Sequence, residues 1–274
     1  MQSPTHRWSS DPVAAAKMAL SCLDLTSLND ADTEADIEQL CARAQGAFGP
    51  VAAVCVWPRF AGLARRLLPT HIAVAAVANF PGGGSDITLA VRDVQIIVDS
   101  GAQEVDVVLP YPSLLGGDTD SACRFLEAVR KASDGLLLKV ILETGVLADP
   151  DRIAAACKLS MSAGADFLKT STGKTPVGAT AQAASTMLES ILANKATTKP
   201  IGFKASGGIR TVADACVYMD LQAKILGPTA VNAKRFRIGA SSILGDIETI
   251  LRGGVAASPS PLASPATLAA SHSY

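Results

Sequence analysis

The feature of this sequence that most constrains its fold is an eightfold alternation between short apolar segments and longer segments of helical character. The short segments are apolar on both faces, which is typical of strands in a parallel sheet that helices cover on both sides. Eight such units in about 250 residues predict an α/β protein with a single closed (β/α)8 barrel, the TIM-barrel architecture. The rival is an open doubly wound sheet, which usually carries G-x-G-x-x-G after its first strand, and this sequence has none there.

The eight predicted strands are Cys22–Thr26, Val51–Val56, Ile72–Phe80, Glu104–Leu109, Leu136–Glu143, Asp166–Thr172, Ile201–Ala205 and Arg235–Gly239. A short helix is predicted to begin at Asp11-Pro12, one long helix leads from Pro112 to Ser133, and Ser241-Ser242 are predicted to cap the last helix. The predicted organisation is a flexible N-terminus over residues 1–10, one barrel domain over 11–252, and a flexible tail over 253–274 that is rich in Ser, Pro and Ala and ends in Tyr274.

Composition limits the partners and the compartment. The 274 residues are 49% hydrophobic and 18% charged with a formal net charge of −1, so no basic field favours nucleic acid or an acidic membrane. The six cysteines are spread along the chain without a C-x-x-C pair, which favours reduced thiols and a cytoplasmic protein. The first residues lack the apolar segment of a signal peptide, and no apolar run is long enough to predict a transmembrane helix.

Charged residues stand inside several of the predicted apolar strands. The candidates among them for a functional role are Asp24, Asp106, Lys139, Lys169 and Lys204. Catalytic groups in such barrels lie near the C-terminal ends of the strands. Any one of these residues, taken alone, is explained equally well by an ion pair in the barrel interior. The whole set, with two lysines on adjacent strands, favours catalysis, while Lys139 fits either the same polar cluster or a structural ion pair.

Lys169 has the setting of a lysine that forms a Schiff base. Burial disfavours the charged form of the amine, and a second ammonium group at Lys204 disfavours it further. A neutral amine is a nucleophile towards carbonyl carbon. Asp106 offers a carboxylate for proton transfer, and Asp24 with Thr26 could extend that proton relay.

Small residues and a lysine after three consecutive strands predict a phosphate site. They are Gly173 and Lys174 after strand six, Gly207 and Gly208 after strand seven, and Gly239, Ser241 and Ser242 after strand eight. Barrels frequently bind phosphate in these loops and at a helix N-terminus. Each glycine pair alone is explained as a turn, so the prediction depends on their joint placement.

The histidines do not favour metal catalysis. His6, His71 and His272 are scattered, and the sequence has no H-x-x-x-H and no Cys/His cluster. The expected chemistry therefore uses the amine, with no metal and no cofactor. Cys55 lies in an apolar strand and is interpreted as a core residue, with a reactive thiol as the alternative if that strand end faces the site.

These residues lie in stretches that resemble the deoxyribose-phosphate aldolase family. The stretches are residues 24–29, 58–60, 79–81, 104–108, 142–145, 164–174, 202–211 and 236–242, and they follow the family's order over about residues 17–252. The resemblance implies a class I aldolase on a (β/α)8 barrel. Such an enzyme reversibly cleaves 2-deoxy-D-ribose 5-phosphate to D-glyceraldehyde 3-phosphate and acetaldehyde.

The resemblance also implies roles for individual residues. Lys169 would be the Schiff-base lysine, Lys204 its charged partner and Asp106 the proton-transfer carboxylate. The glycines, the two serines and Lys174 of the predicted phosphate site would hold the substrate phosphate. Some family members end in a tyrosine that assists proton transfer, and Tyr274 matches that ending. The implied partners are the sugar phosphate and acetaldehyde. A homodimer is the predicted assembly.

Two other functions are compatible with the sequence. One is a Schiff-base aldolase of the same barrel superfamily that acts on a different sugar phosphate. The other is a catalytically silent barrel that serves as a binding scaffold, against which the intact set of Lys169, Lys204 and Asp106 argues.

Overall fold

Eight parallel strands close into one barrel in the computed structural model, which describes Trp8, residues 10–194 and residues 199–260. Each strand pairs in parallel with the next one along the chain, and the last pairs with the first. The strands are β1 (Leu23–Thr26), β2 (Ala53–Val56), β3 (Ala73–Ala78), β4 (Glu104–Val108), β5 (Leu137–Ile141), β6 (Phe167–Lys169), β7 (Gly202–Ser206) and β8 (Phe236–Ala240). The predicted (β/α)8 barrel is confirmed.

Helices connect the strands and cover the outside of the barrel. They are α1 (Pro12–Ser21), α2 (Glu34–Arg43), α3 (Pro58–Leu67), α4 (Ile87–Asp99), α5 (Tyr111–Leu115), α6 (Thr119–Ala132), α7 (Thr144–Leu147), α8 (Pro150–Ser162), α9 (Ala181–Ala193), α10 (Val212–Leu226) and α11 (Ile243–Leu251). The predicted N-terminal helix is α1, which begins where the Asp11 side chain accepts the Ala14 N–H. Among the described residues, none of these helices has the length and hydropathy to cross a membrane.

Alternation along the strands determines which side chains face the barrel axis. Successive side chains of a strand point to opposite faces of the sheet. Leu138 and Val140 belong to the apolar core between strands and helices, so Lys139 between them points inward. Phe203 and Ala205 place Lys204 inward in the same way. The aliphatic packing of the outer layer thereby directs lysines into the barrel.

The long helix predicted from Pro112 to Ser133 is wrong, because the structure divides it into α5 and α6. The chain breaks at Gly116-Gly117, where Gly117 has a φ of 84° that favours glycine. The new helix begins after Asp118, whose side chain accepts the Ser121 N–H at 2.9 Å.

Some boundaries near the predicted site also differ from expectation. β6 is only three residues long and ends at Lys169, so the predicted residues up to Thr172 form a loop instead. β5 ends at Ile141, and Glu143 adopts a left-handed backbone before α7. Ser242 does occupy the N-cap position of α11, but its hydroxyl makes no capping hydrogen bond. Capping by the serine side chains is therefore a wrong prediction.

The first part of the predicted tail contacts the barrel. Residues 254–260 have no regular secondary structure, but the Ala257 N–H donates to Asp246 at 3.0 Å. The Ser260 N–H and hydroxyl donate to the Asp214 carboxylate at 2.5 and 2.8 Å. The predicted domain boundaries stay predictions, and the tail from residue 261 to Tyr274 lies outside the described residues.

Candidate active site

Seven charged side chains from six strands meet inside the barrel. They are Asp24 on β1, Glu104 and Asp106 on β4, Lys139 on β5, Lys169 on β6, Lys204 on β7 and Arg237 on β8, and all of them are buried. Register explains part of the arrangement, because Lys169 pairs with Lys204 and Lys204 pairs with Arg237 across adjacent strands. Buried charges are costly unless they are paired, so their contacts decide what this cluster can do.

Asp106 is the centre of the cluster. Its Oδ2 accepts hydrogen bonds from Lys169 Nζ at 2.8 Å and from Lys204 Nζ at 2.7 Å. Its Oδ1 accepts a hydrogen bond from Lys139 Nζ at 2.7 Å. One carboxylate thus contacts all three lysines, and the structure brings together the three residues predicted to carry the chemistry. Lys139 belongs to the same polar cluster.

Two members of the cluster, Glu104 and Arg237, were missed in the sequence. Arg237 donates to Asp24 at 2.6 Å and to Glu104 at 2.8 Å, and Lys139 donates to Glu104 at 2.5 Å. Lys204 also donates to Asp24 at 2.5 Å. Glu104 was detectable, because it lies two residues before Asp106 on one strand and therefore faces the same side.

The numbers of opposite charges in the cluster are unequal. Three carboxylates face four basic side chains among the seven residues. If Lys139, Lys204 and Arg237 are charged, they balance the carboxylates, and a proton on Lys169 would leave an uncompensated buried charge. Such a charge is expensive in a protein interior, so the arrangement favours a neutral Lys169.

The pKa directions agree with this balance. Burial is the largest influence on Lys169 and lowers the pKa of its amine; Asp106 opposes the shift and the charge of Lys204 adds to it. Burial also acts to lower the pKa of Lys204, but Asp106 and Asp24 outweigh it and raise that pKa above its ordinary value. The pKa values of two lysines on neighbouring strands therefore shift in opposite directions, which favours the free amine at Lys169 and the ammonium group at Lys204.

The two aspartates of the cluster, Asp24 and Asp106, remain ionised in this setting. Burial tends to raise the pKa of Asp106, but Lys139, Lys169 and Lys204 together hold it well below its usual range. Burial likewise tends to raise the pKa of Asp24, and its basic neighbours, first of all Lys204, lower it overall. Asp106 is thus an ionised hydrogen-bond acceptor beside Lys169.

Cys55 and Thr26 lie beside the cluster with weaker links to it. The Cys55 sulfur is 3.9 Å from Asp106 Oδ2, and burial raises the pKa of this thiol, with Asp106 adding to the shift. A thiol with a raised pKa has little of the thiolate that reacts, which agrees with a core residue. The Thr26 hydroxyl donates at 2.8 Å to the backbone carbonyl of Asp24 and not to its carboxylate. No hydrogen bond in the described part of the chain joins Thr26 to the relay.

The predicted phosphate residues lie at the C-terminal ends of the last three strands. Lys174, Gly208, Ser241 and Ser242 are exposed there, above the buried lysines. The N–H groups at the start of α11 lack a side-chain cap at Ser242, so this helix N-terminus is open to an anion. The arrangement places a positive lysine and a helix N-terminus at one mouth of the barrel.

The loops after β6 and β7 approach each other through glycines. A Cβ on Gly178 would lie 2.5 Å from the Gly207 carbonyl oxygen, so a larger residue would separate the loops. Gly207 has a φ of 89°, and its carbonyl accepts the Ala179 N–H at 3.0 Å. Gly239, in contrast, lies within β8 and not in a loop, with its Cα facing the Lys204 side chain.

One predicted catalytic residue, Tyr274, lies outside the described residues. Among the residues that the structure does describe, no group of three or more His, Cys, Asp or Glu side chains is arranged to hold a metal ion.

Comparison with known proteins places these observations in a family. The profile described as DeoC/LacD family aldolase matches residues 18–242. A deoxyribose-phosphate aldolase from Agrobacterium fabrum (strain C58) is 44% identical over 246 residues, which are 89% of this chain and 94% of the relative. A proposed deoxyribose-phosphate aldolase from Coccidioides immitis has a crystal structure with a TM-score of 0.71 and 32% identity, over 85% of this chain and 87% of the other. A deoxyribose phosphate aldolase from Aeropyrum pernix, described as a unique tetramer, has a TM-score of 0.69 and 25% identity over 89% of this chain and 96% of the other.

Proposed function

This chain belongs to the DeoC/LacD family of aldolases, and we propose that it reversibly cleaves 2-deoxy-D-ribose 5-phosphate to D-glyceraldehyde 3-phosphate and acetaldehyde. The membership makes the protein an enzyme, an aldolase of the lyase class. The observation that carries the finer proposal is the buried amine of Lys169, whose lowered pKa and contact with Asp106 suit it to attack an aldehyde.

The first half of the proposed reaction forms a covalent bond to the substrate. The neutral Lys169 amine attacks C1 of the open-chain sugar, and the resulting carbinolamine loses water to give a protonated imine. Asp106 lies 2.8 Å from Lys169 Nζ and moves the protons that these steps require. Burial, with the charge of Lys204 adding to its effect, lowers the pKa of Lys169 and favours the free amine before each attack.

The second half breaks the carbon–carbon bond. The protonated imine accepts the electron pair of the C2–C3 bond while Asp106 takes the proton of the C3 hydroxyl, which releases D-glyceraldehyde 3-phosphate and leaves an enamine on Lys169. Asp106 returns this proton to C2 of the enamine, and attack of water on the resulting imine releases acetaldehyde and restores the amine. Asp24, bonded to Lys204 at 2.5 Å, supports the charged state of that lysine throughout.

The phosphate of the substrate is proposed to bind at the mouth of the barrel. Gly173, Gly207 and Gly208 all have positive φ values, and this backbone lets N–H groups turn towards an anion. Lys174 and the N-terminus of α11 at Ser242 supply positive charge there. Gly239 is proposed to act indirectly, by leaving room for Lys204.

A cleavage assay tests the proposed substrate. Incubation with 2-deoxy-D-ribose 5-phosphate is expected to yield equal amounts of acetaldehyde and D-glyceraldehyde 3-phosphate, and keto-sugar phosphates are expected to be cleaved far more slowly. Faster cleavage of a keto-sugar phosphate would assign the barrel to another sugar phosphate. A folded sample that cleaves neither kind of substrate would support a binding scaffold instead.

Gly239→Ala is expected to lower turnover at least tenfold, because a Cβ at this position would lie 2.9 Å from Lys204 Cε and from Ser206 Oγ. The crowding displaces the Lys204 ammonium group, and overpacking of this kind costs about 1–3 kcal/mol of stability. The measurements are kcat and the thermal unfolding midpoint. Gly245→Ala in α11 is the matched control, since its Cβ would meet no atom within 4 Å and turnover should not change. Equal kcat values for the two variants would contradict the packing role of Gly239.

The compartment and the assembly remain part of the proposal. All six cysteines are free thiols, which supports the predicted cytoplasmic location. The predicted homodimer stays a prediction.

A further inference from the structure

Glu143 is a buried carboxylate at the mouth of the barrel that the proposed reaction does not use. It follows β5 and has a left-handed backbone with φ 56° and ψ 57°, a conformation that costs a residue with a Cβ about 1 kcal/mol or more. The residues on both sides of Glu143 remain hydrogen-bonded to the end of β6 and to the residue that follows it. Leu142 N–H donates to the Lys169 carbonyl, and Thr144 N–H donates to the Thr170 carbonyl, both at 2.9 Å. The backbone departs from the extended conformation at Glu143, between these two pairings.

The Glu143 carboxylate accepts three hydrogen bonds from the loop after β6. Oε2 accepts from the Thr172 hydroxyl at 2.5 Å and from the Thr172 N–H at 3.3 Å. Oε1 accepts from the Thr175 hydroxyl at 3.1 Å. Because both oxygens are occupied by donors from one turn, the carboxylate fixes the two ends of that turn relative to each other.

The turn that Glu143 fixes carries Lys174. The Lys174 N–H donates to the Thr172 hydroxyl oxygen at 3.0 Å, so one hydroxyl links Lys174 to Glu143. The far side of the loop is also held closely, since a Cβ on Gly145 would lie 2.2 Å from the Val177 carbonyl oxygen. Within the described residues, no hydrogen bond or ion pair joins Glu143 to the lysines of the cluster.

We propose that Glu143 is a positioning residue for the anionic end of the substrate: it holds the turn from Thr172 to Thr175 so that Lys174 and its neighbouring N–H groups face the phosphate. This inference rests on the proposed function. Glu143 acts through the turn and not on the reacting carbon, so its effect is confined to substrates that carry a phosphate.

The test compares two sugars that differ only in the phosphate. For Glu143→Gln, the ratio of kcat/KM for 2-deoxy-D-ribose 5-phosphate to kcat/KM for 2-deoxy-D-ribose is expected to fall about tenfold or more, mainly through KM of the phosphorylated sugar. Trapping of acetaldehyde on Lys169 with borohydride should proceed at the wild-type rate. A ratio that stays at the wild-type value, or a loss of trapping as large as the loss of cleavage, overturns the inference.

Two further variants separate positioning from folding. Thr175→Val removes the hydroxyl that lies 3.1 Å from Glu143 Oε1 and 3.2 Å from the Val177 carbonyl oxygen. It should lower the same ratio by a smaller factor, so it serves if Glu143→Gln does not fold. Thr144→Val is the matched control on the neighbouring residue, whose buried hydroxyl has no hydrogen-bond partner among the residues that the structure describes, and it should leave the ratio unchanged. A Thr144→Val variant with the same loss as Glu143→Gln contradicts the inference. If the wild-type protein does not cleave the phosphorylated sugar, the proposed function is overturned. If the wild type cleaves it and the Glu143→Gln and Thr175→Val variants keep the wild-type ratio, only the role of Glu143 is overturned.

Discussion

Lys169→Met is expected to reduce kcat/KM for 2-deoxy-D-ribose 5-phosphate by roughly four orders of magnitude or more, because the covalent route is lost together with the amine. Borohydride reduction in the presence of acetaldehyde should attach an ethyl group to Lys169 in the wild type and should leave the variant unmodified. Mass spectrometry of the peptide that contains residue 169 detects the ethyl group in the wild type and its absence in the variant.

The same variant is expected to fold. Asp106 keeps its hydrogen bonds from Lys139 and Lys204, and loss of a neutral amine leaves three carboxylates opposite three basic side chains. The thermal midpoint should therefore stay close to that of the wild type. Lys158→Met, which makes the same chemical change at an exposed position on α8, controls for it and should retain full activity. Trapping of acetaldehyde at another lysine in Lys169→Met, with activity preserved, would exclude the proposed nucleophile.

The barrel could be predicted from the sequence because its signals are local. A run such as Ala73–Ala78 is apolar on both faces, and the alternation of strands and helices then allows few topologies. The break between α5 and α6 was also local, since Gly116-Gly117 followed by Asp118 is a helix end and a new N-cap.

The pairing inside the barrel could be predicted only in part. Alternation predicts that Lys204 points inward, but its partner Asp24 is 180 residues away and becomes a neighbour only because β8 closes against β1. Nothing in the sequence around Arg237 distinguishes it from a solvent-exposed charged residue. Its contacts with Asp24 and Glu104 form only when the barrel closes. Long-range pairs of this kind depend on register, which is set by the whole barrel.

Glu143 shows a second limit of prediction from the sequence. Its role depends on a left-handed backbone at the end of β5, and nothing in the local residues favours that conformation over a continued strand. The sequence predicted an extended residue there. Only the three-dimensional placement of Thr172 and Thr175 reveals why the chain turns at this point.

Lys204→Met tests whether this lysine acts by tuning Lys169. Removal of the ammonium group removes a like charge from the neighbourhood of Lys169 and leaves the carboxylates with one fewer basic partner. Both changes favour the protonated form, so the pKa of Lys169 rises. Since only the free amine attacks the aldehyde, the rate of borohydride trapping with acetaldehyde should fall at neutral pH by about a hundredfold or more, and its acidic limb should move to higher pH.

The pH dependence of trapping by Lys204→Met distinguishes an effect on the pKa of Lys169 from direct participation of Lys204 in proton transfer. If Lys204 acts through the pKa of Lys169, trapping by Lys204→Met should recover towards the wild-type rate as the pH rises, because alkali restores the free amine. A defect of the same size at every pH would instead make Lys204 a participant in the proton transfers. Loss of the paired charge at Asp24 should also lower stability by about 3 kcal/mol, unless protonation of Lys169 compensates for it. At neutral pH, Lys169 is neutral in the wild type and charged in the variant, so the new charge offsets part of the stability that the variant loses. At alkaline pH this charge is gone, so Lys204→Met should lose more stability there, although its activity returns.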